Sequence, residues 1–354
     1  MKHTKGDLQQ MQSLPLSAKI QMTKRRIKDW YDYFDGQVYV SFSGGKDSTV
    51  LLHIAREVYS DIEAVFVNTG LEYPEIQQFV KTFDNVTILR PKMRFDEVIK
   101  AYGYPVISKA VANAVETYNA KVRNGKPLTG ARVEQLLGTY VGNRQDGKKT
   151  KFDKSKYKPL LDLDYKVSDR CCGVMKKAPL KKWEKVNKKY PIVATMADES
   201  IMREAVWLKT GCNGFDMKRP MSKPMSFWTE QDVYQYIKKY NIPIASVYGD
   251  IVCEKNINQM SFEDYGISGC GTDRLKTTGC ERTGCIFCGF GCHLDKRAQT
   301  RFQQLKETHP RQYEYCIGGG EYVNGVWQPN KQGLGMGHVF DELNKIYGDG
   351  FIKY

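Results

Sequence analysis

Residues 37–42 form a short run rich in valine and tyrosine, and the next six residues are Ser43, Gly44, Gly45, Lys46, Asp47 and Ser48. Beyond them Val50, Leu51, Ile54, Ala55 and Val58 recur on one helical face. A strand that turns through two glycines straight into a helix constrains the fold more than any other feature of the chain. Glycines let backbone N–H groups turn inward around an anion, and a helix N-terminus adds positive partial charge at the same spot. The turn is read as a phosphate cradle, with Ser43 to Ser48 as its binding residues. Its spacing is neither G-x-x-x-x-G-K-[ST] nor G-x-G-x-x-G, so the ordinary P-loop and the dinucleotide fingerprint both fail. Within it, Lys46 is a candidate for stabilising charge on phosphate and Asp47 for holding Mg²⁺.

The pattern on either side predicts an α/β fold. A helix is expected over residues 16–35, strands over 37–42, 64–67 and 86–89, and a helix over 74–83. Strands and helices alternating at this spacing imply βαβ units and a doubly wound parallel sheet. The alternation weakens over residues 102–165, a basic, glycine-punctuated stretch read as an insertion. It resumes with a short strand over 191–196 and a helix over 229–240, for which Thr229 is the expected N-cap. After Tyr248 the chain becomes rich in glycine, cysteine and aromatic residues. The expected organisation is an N-terminal helical segment (1–35), a nucleotide-binding domain (36–250) carrying the insertion, and a cysteine-rich, metal-binding C-terminal region (251–354).

The 354 residues are 41% hydrophobic and 27% charged, the composition of a globular protein with a packed core. No apolar run approaches the ~20 residues of a membrane helix, and the first residues show no secretory signal, so no membrane association and a cytoplasmic location are expected. The net charge of +14 favours anionic ligands. Two stretches concentrate it: residues 143–158 hold Arg144, Lys148, Lys149, Lys151, Lys154, Lys156 and Lys158 against Asp146 and Asp153, and residues 176–190 hold seven lysines against Glu184. Such stretches are either a solvated surface or a face for a polyanion such as tRNA or DNA.

The ten cysteines are clustered. Cys171 and Cys172 are adjacent, and Cys280-x4-Cys285-x2-Cys288-x3-Cys292 follows Cys270. Clustered thiols in a reducing compartment point to a metal or cluster site rather than disulfides, and C-x2-C lets two thiolates face one metal. Cys280, Cys285 and Cys288 with one further cysteine make a local four-thiol set, with Cys292 as an alternate, and spacing alone also permits structural Zn. Cys212, Cys253 and Cys316 read as buried thiols.

Ser43-Gly44-Gly45-Lys46-Asp47-Ser48 resembles the S-G-G-x-D-S motif of the PP-loop ATP-pyrophosphatase superfamily. Asn68-Thr69-Gly70-Leu71-Glu72-Tyr73-Pro74-Glu75 is similar to the D-T-G-x-x-x-P-E stretch of phosphoadenylyl-sulfate (PAPS) reductases, with Asn68 in place of the acid. Cys171 and Cys172 with Pro179 and Leu180 resemble that family's C-C-x-x-x-K-x-x-P-L motif. Residues from Pro224 to Pro243 resemble its P-x-x-x-W-T-x-x-D-V-x-x-Y-I-x-x-x-x-I-P segment. On these residues the chain is identified as a member of the PAPS reductase family. The resemblance implies ATP or an adenylyl-sulfate on the glycine loop, with Asn68, Thr69 and Gly70 at the nucleotide. It also implies a [4Fe–4S] cluster on Cys171, Cys172, Cys285 and Cys288, and an electron or sulfur donor protein.

Two departures bear on the reaction. The reductases' E-C-G-L-H motif is missing from the last residues of this sequence, and in the segment resembling G-x-R-x-x-E-S-x-x-R the glycine and first arginine are replaced by Ala194 and Met196. Arg203, the remaining arginine, is either an oxyanion ligand with a catalytic role or an ion-pair partner of Glu199 four residues back. The expected function is iron–sulfur-dependent sulfur chemistry, as sulfonucleotide reduction or as ATP-dependent sulfur transfer. The competing reading is a non-catalytic nucleotide-binding regulator with a structural or redox-sensing metal centre.

Overall fold

The structure is a computed structural model that describes residues 3–142, 150–254 and 274–354. Arg144, Asp146, Lys148, Lys149 and Cys270 lie outside the described residues. In chain order the elements are α1 (Lys5–Gln12), α2 (Leu16–Tyr33), β1 (Val38–Ser41), α3 (Lys46–Val58), β2 (Ala64–Val67), α4 (Pro74–Val80) and β3 (Val86–Leu89). There follow α5 (Phe95–Tyr102), β4 (Val106–Ile107), α6 (Lys109–Arg123), α7 (Ala131–Leu137), α8 (Arg170–Cys172), α9 (Ala178–Asn187), β5 (Tyr190–Val193) and α10 (Ile201–Thr210). The rest is β6 (Asn213–Gly214), β7 (Met221–Ser222), α11 (Glu230–Tyr240), β8 (Ile251–Glu254), β9 (Arg274–Thr277) and β10 (Gly289–Phe290). Last come α12 (Arg301–Thr308), α13 (Pro310–Ile317), β11 (Glu321–Val323), β12 (Val326–Gln328) and α14 (Met336–Tyr347).

Two compact units interleave in sequence. The first comprises Met1–Asn68, Glu72–Leu89 and Leu180–Gly284, the second Thr69–Leu71, Arg90–Pro179 and Cys285–Tyr354.

The first unit is an α/β layer built on one sheet of order β3-β2-β1-β5-β7-β6. All its pairings are parallel except the last, β6 with β7. Val38, Tyr39 and Val40 of β1 are buried on both faces, as expected of a central parallel strand. The chain runs outward from β1 to β2 and β3, then returns to lay β5 on the opposite side of β1. This reversal makes the carboxyl ends of β1 and β5 a topological switch point, where open α/β sheets bind ligands. Helix α2 packs on α3 and α11, pinned by the Lys19–Asp232 ion pair at 2.6 Å and by Trp228 Nε1 donating to Thr23 Oγ1 at 2.9 Å.

The elements depart from the sequence reading in small ways with local causes. Helix α2 stops at Tyr33 because Asp35 and Gly36 take positive φ, 49° and 72°. Strand β5 ends at Val193, before a 3-10 turn over Ala197–Glu199. Thr229 caps α11 in a reciprocal capping box with Asp232.

The second unit is mainly helical, with α6 and α7 in the stretch read as an insertion. Its strands are short: β4 pairs in parallel with β10, and β11 with β12 in an antiparallel hairpin.

Candidate functional site

Within the first unit, the residues after β1 form a tight turn whose amides already have oxygen acceptors. Ser43 N–H donates to Ser48 Oγ at 3.1 Å, Gly45 N–H to Ser43 Oγ at 3.3 Å, and Lys46 N–H to the Tyr248 hydroxyl at 3.1 Å. The Tyr248 hydroxyl lies 2.6 Å from Thr283 Oγ1. Three hydroxyls thus occupy positions where anionic oxygens would be welcome at a helix N-terminus. Gly44 has φ +71°, and a Cβ there would sit 2.8 Å from methyls of Ile76 and Val80, so the turn can lie on α4 only with glycine at this position.

Lys46 is buried, 3% exposed. Its ammonium reaches the Glu230 carboxylate at 3.1 Å and the Glu281 carbonyl at 2.8 Å, over the rings of Tyr234 and Tyr248. Next to it, Asp47 Oδ1 is buried with no hydrogen-bond partner among the described residues. Burial pushes the Asp47 carboxyl above its usual range, against the pull of Lys46, Arg282 and Arg203. At the carboxyl end of β5, Thr195 Oγ1 is likewise buried and unpartnered. An orphaned carboxylate oxygen in the field of three cations fits a site for an anionic ligand with an accompanying cation.

Arg203 forms the ion pair with Glu199, and its side chain remains 43% exposed. It also contributes to the field at Asp47, so the structural contact and the electrostatic one coexist. Met196, where the family motif has arginine, is buried at 3% exposure. The sequence reading missed Thr195, Glu230, Tyr248, Arg282 and Thr283. Tyr248 and Thr283 come from distant loops whose approach to the turn leaves no mark in local spacing. Asn68 Nδ2 donates to Gln77 at 3.4 Å, and Thr69 Oγ1 accepts from Leu71 N–H at 3.2 Å.

The second unit brings together cysteines far apart in sequence. Arg170 Nε donates to Glu116 at 2.7 Å and Asn113 Nδ2 to Asp169 at 3.1 Å, which ties the start of α8 to α6. Cys171 and Cys172 follow, then a π-helical turn, Gly173–Lys177, a form often found at functional sites. Opposing shifts mark the adjacent pair: Cys172 is drawn down to about 5 by the hydrogen bond from Cys171, helped by Lys109 and Lys176, while Cys171 is driven up. One thiolate held by its neighbour's thiol accounts for both directions.

Cys285 and Cys288 lie in the electrostatic neighbourhood of Cys171. Cys288 N–H donates to the Cys285 carbonyl at 3.1 Å, closing the C-x2-C turn. Gly289 then enters β10, where a Cβ would lie 2.6 Å from the Pro105 carbonyl. Cys292 Sγ faces the Cys288 carbonyl at 3.5 Å and accepts from Arg301 at 2.6 Å, whereas Cys280 is buried in the first unit. Among the described residues no three His, Cys, Asp or Glu side chains stand in ligating geometry. The four cysteines therefore share a neighbourhood without standing at metal-ligand distances. Their all-sulfur donor chemistry, with the Cys172 thiol drawn toward its thiolate, fits a thiolate-bound cluster.

The family model for the phosphoadenosine phosphosulfate reductase domain matches residues 37–126 and 129–289. Two uncharacterized proteins of Methanocaldococcus jannaschii are 36% identical over 97 residues and 38% over 84, covering 25% and 22% of this chain. Those matches cover 23% and 18% of the two proteins. A phosphoadenosine 5'-phosphosulfate reductase of Zymomonas mobilis is 24% identical over 165 residues, 45% of this chain and 62% of that enzyme. The chain thus matches less than two thirds of the length of each of these relatives. Among solved structures, a PAPS reductase from Candida auris covers 77% of this chain and 96% of its own, at 11% identity and a TM-score of 0.36. A tRNA thiolase from Methanococcus maripaludis, solved with its [4Fe–4S] cluster, covers 64% of this chain and 66% of its own, at 14% identity and a TM-score of 0.31. No helix among the described residues is long and apolar enough to cross a membrane.

Proposed function

Since the chain belongs to the phosphoadenosine phosphosulfate reductase domain family, we propose that it is an enzyme of nucleotide-dependent sulfur chemistry. It binds ATP or an adenylylated sulfur substrate at Ser43 to Ser48, and the lysine-rich stretch at residues 176–190 favours a nucleic-acid acceptor. The observation that carries the nucleotide reading is the pair of buried, unpartnered oxygens that follow the two strands flanking the switch point, Asp47 Oδ1 in the first turn of α3 after β1 and Thr195 Oγ1 just past β5. A nucleotide phosphate would take over the amides of Ser43, Gly45 and Lys46 from the hydroxyls that now hold them. Arg203 and Arg282 supply positive charge as negative charge builds on the phosphates, and Asp47 is the residue to hold Mg²⁺.

Lys46 is positioned by Glu230, which fixes its charge beneath the turn. Cys171, Cys172, Cys285 and Cys288 would hold a [4Fe–4S] cluster, which supplies electron or sulfur transfer when bound. Lys109 and Lys176 help keep Cys172 deprotonated and so ready as a ligand.

The test is pyrophosphate release from ATP by anaerobically prepared protein, with and without tRNA or duplex DNA. Release that rises with nucleic acid is expected. Tight ATP binding with no turnover under any of these conditions would overturn the enzyme reading in favour of a nucleotide-binding regulator.

A further inference from the structure

Residues 176–190 carry seven lysines and a single acid, Glu184, and the structure shows where that acid points. Its carboxylate accepts from the Tyr39 hydroxyl at 2.6 Å and from Arg219 Nε at 2.9 Å. Trp183 beside it packs edge-on against Tyr39, ring centroids 5.0 Å apart. Glu184, the one acid of the stretch, and Trp183 are thus both turned onto Tyr39 of β1. Lys189 is also engaged, by Glu63 at 2.7 Å. Lys181, Lys182, Lys185 and Lys188 are left exposed, and none of the four has an ion-pair partner among the described residues.

We propose that this lysine face of α9 is the surface that grips the phosphodiester backbone of the nucleic-acid acceptor, an inference that rests on the function proposed above. Helical spacing sets Lys181 over Lys185 with Lys182 alongside, and Lys188 follows in the turn just past the helix, at φ 53°. At ~1.5 Å per residue the helical part of the stripe, Lys181 to Lys185, runs about 6 Å, roughly two phosphate steps of one strand at ~3.4 Å each, and Lys188 extends it beyond the helix end. With no carboxylate on the face, each lysine is free to replace counterions on the backbone. A lipid surface is the poorer fit, because an interfacial helix needs large apolar residues on its buried side. Here the one tryptophan is turned inward, and the exposed apolar residue of α9 is Val186, at 72%.

The experiment measures binding of fluorescein-labelled duplex DNA, single-stranded DNA and a hairpin RNA by anisotropy across a salt series. It compares wild type with a variant in which Lys181, Lys182, Lys185 and Lys188 are changed to Gln. Wild type should bind with a log–log salt slope to which the four lysines contribute about −3.6 on duplex and about −2.8 on a single strand. The Gln variant should lose that share of the slope and bind at least ~10-fold more weakly at low salt, while the fourfold Lys→Arg variant keeps both. Lys238→Gln with Lys239→Gln, exposed on α11, should leave the slope in place.

An unchanged slope in the fourfold Gln variant overturns the proposal, as does wild-type protein that ignores all three nucleic acids at low salt. Binding to phosphatidylserine vesicles through these lysines without nucleic-acid binding overturns it in favour of a membrane surface. ATP binding by calorimetry should be the same in wild type and the Gln variant. Its absence in both would sink the nucleotide reading while the salt slopes still report on α9.

Discussion

At the scale of single residues, the turn is held by groups that a ligand is expected to relieve. Asp47 is an acid whose folded pKa is raised, chiefly by burial. Such a group favours folding below its unfolded value, and the benefit is lost as pH rises through the raised folded value, so at neutral pH its ionised form costs stability. Asp47→Asn should therefore melt at a higher temperature than wild type without nucleotide and lose any Mg²⁺-dependent turnover. An equal or lower melting temperature would show that the carboxylate is already compensated. Tyr248→Phe takes away the acceptor of the Lys46 N–H, and a buried donor left unsatisfied costs roughly 1–3 kcal/mol. Because a phosphate would restore that acceptor, ATP should raise the melting temperature of Tyr248→Phe by more than it raises that of wild type. A smaller rise would mean that the phenol is itself part of the bound state.

At the scale of elements, the strand–turn–helix unit was legible because its signals are local: valines for β1, two glycines for the turn, and an apolar stripe for α3. The Thr229 cap was legible for the same reason, since a cap and its partner lie three residues apart. What the sequence concealed is the contact of the turn with other elements. Gly44 reads simply as a loop glycine until α4 is seen beneath it. Gly44→Ala should cost about 1–2 kcal/mol for the left-handed backbone and a further ~1–3 kcal/mol for overpacking against Ile76 and Val80. Gly45 has φ −78° and only hydroxyl groups near its Cβ position, so Gly45→Ala should cost markedly less. Urea unfolding of the two variants checks the order, and equal losses would contradict the packing argument.

For the molecule as a whole, sequence order and spatial grouping part company. Cys280 is the nearest upstream neighbour of Cys285 in the four-cysteine run, yet it is buried in the first unit, while Cys171 and Cys172 share the second unit with Cys285 and Cys288. Spacing alone could not choose between these sets, because the interleaving of the two units is a property of the long-range fold. The account therefore predicts that Cys171→Ser, Cys172→Ser, Cys285→Ser and Cys288→Ser each impair the centre, whereas Cys280→Ser and Cys292→Ser spare it. Loss in the Cys280 variant, with the Cys171 and Cys172 variants intact, would move the centre to the local set. The most direct measurement is the metal content of anaerobically purified wild-type protein. The account predicts a brown protein with about four irons and four sulfides per chain; stoichiometric zinc with no iron would contradict it.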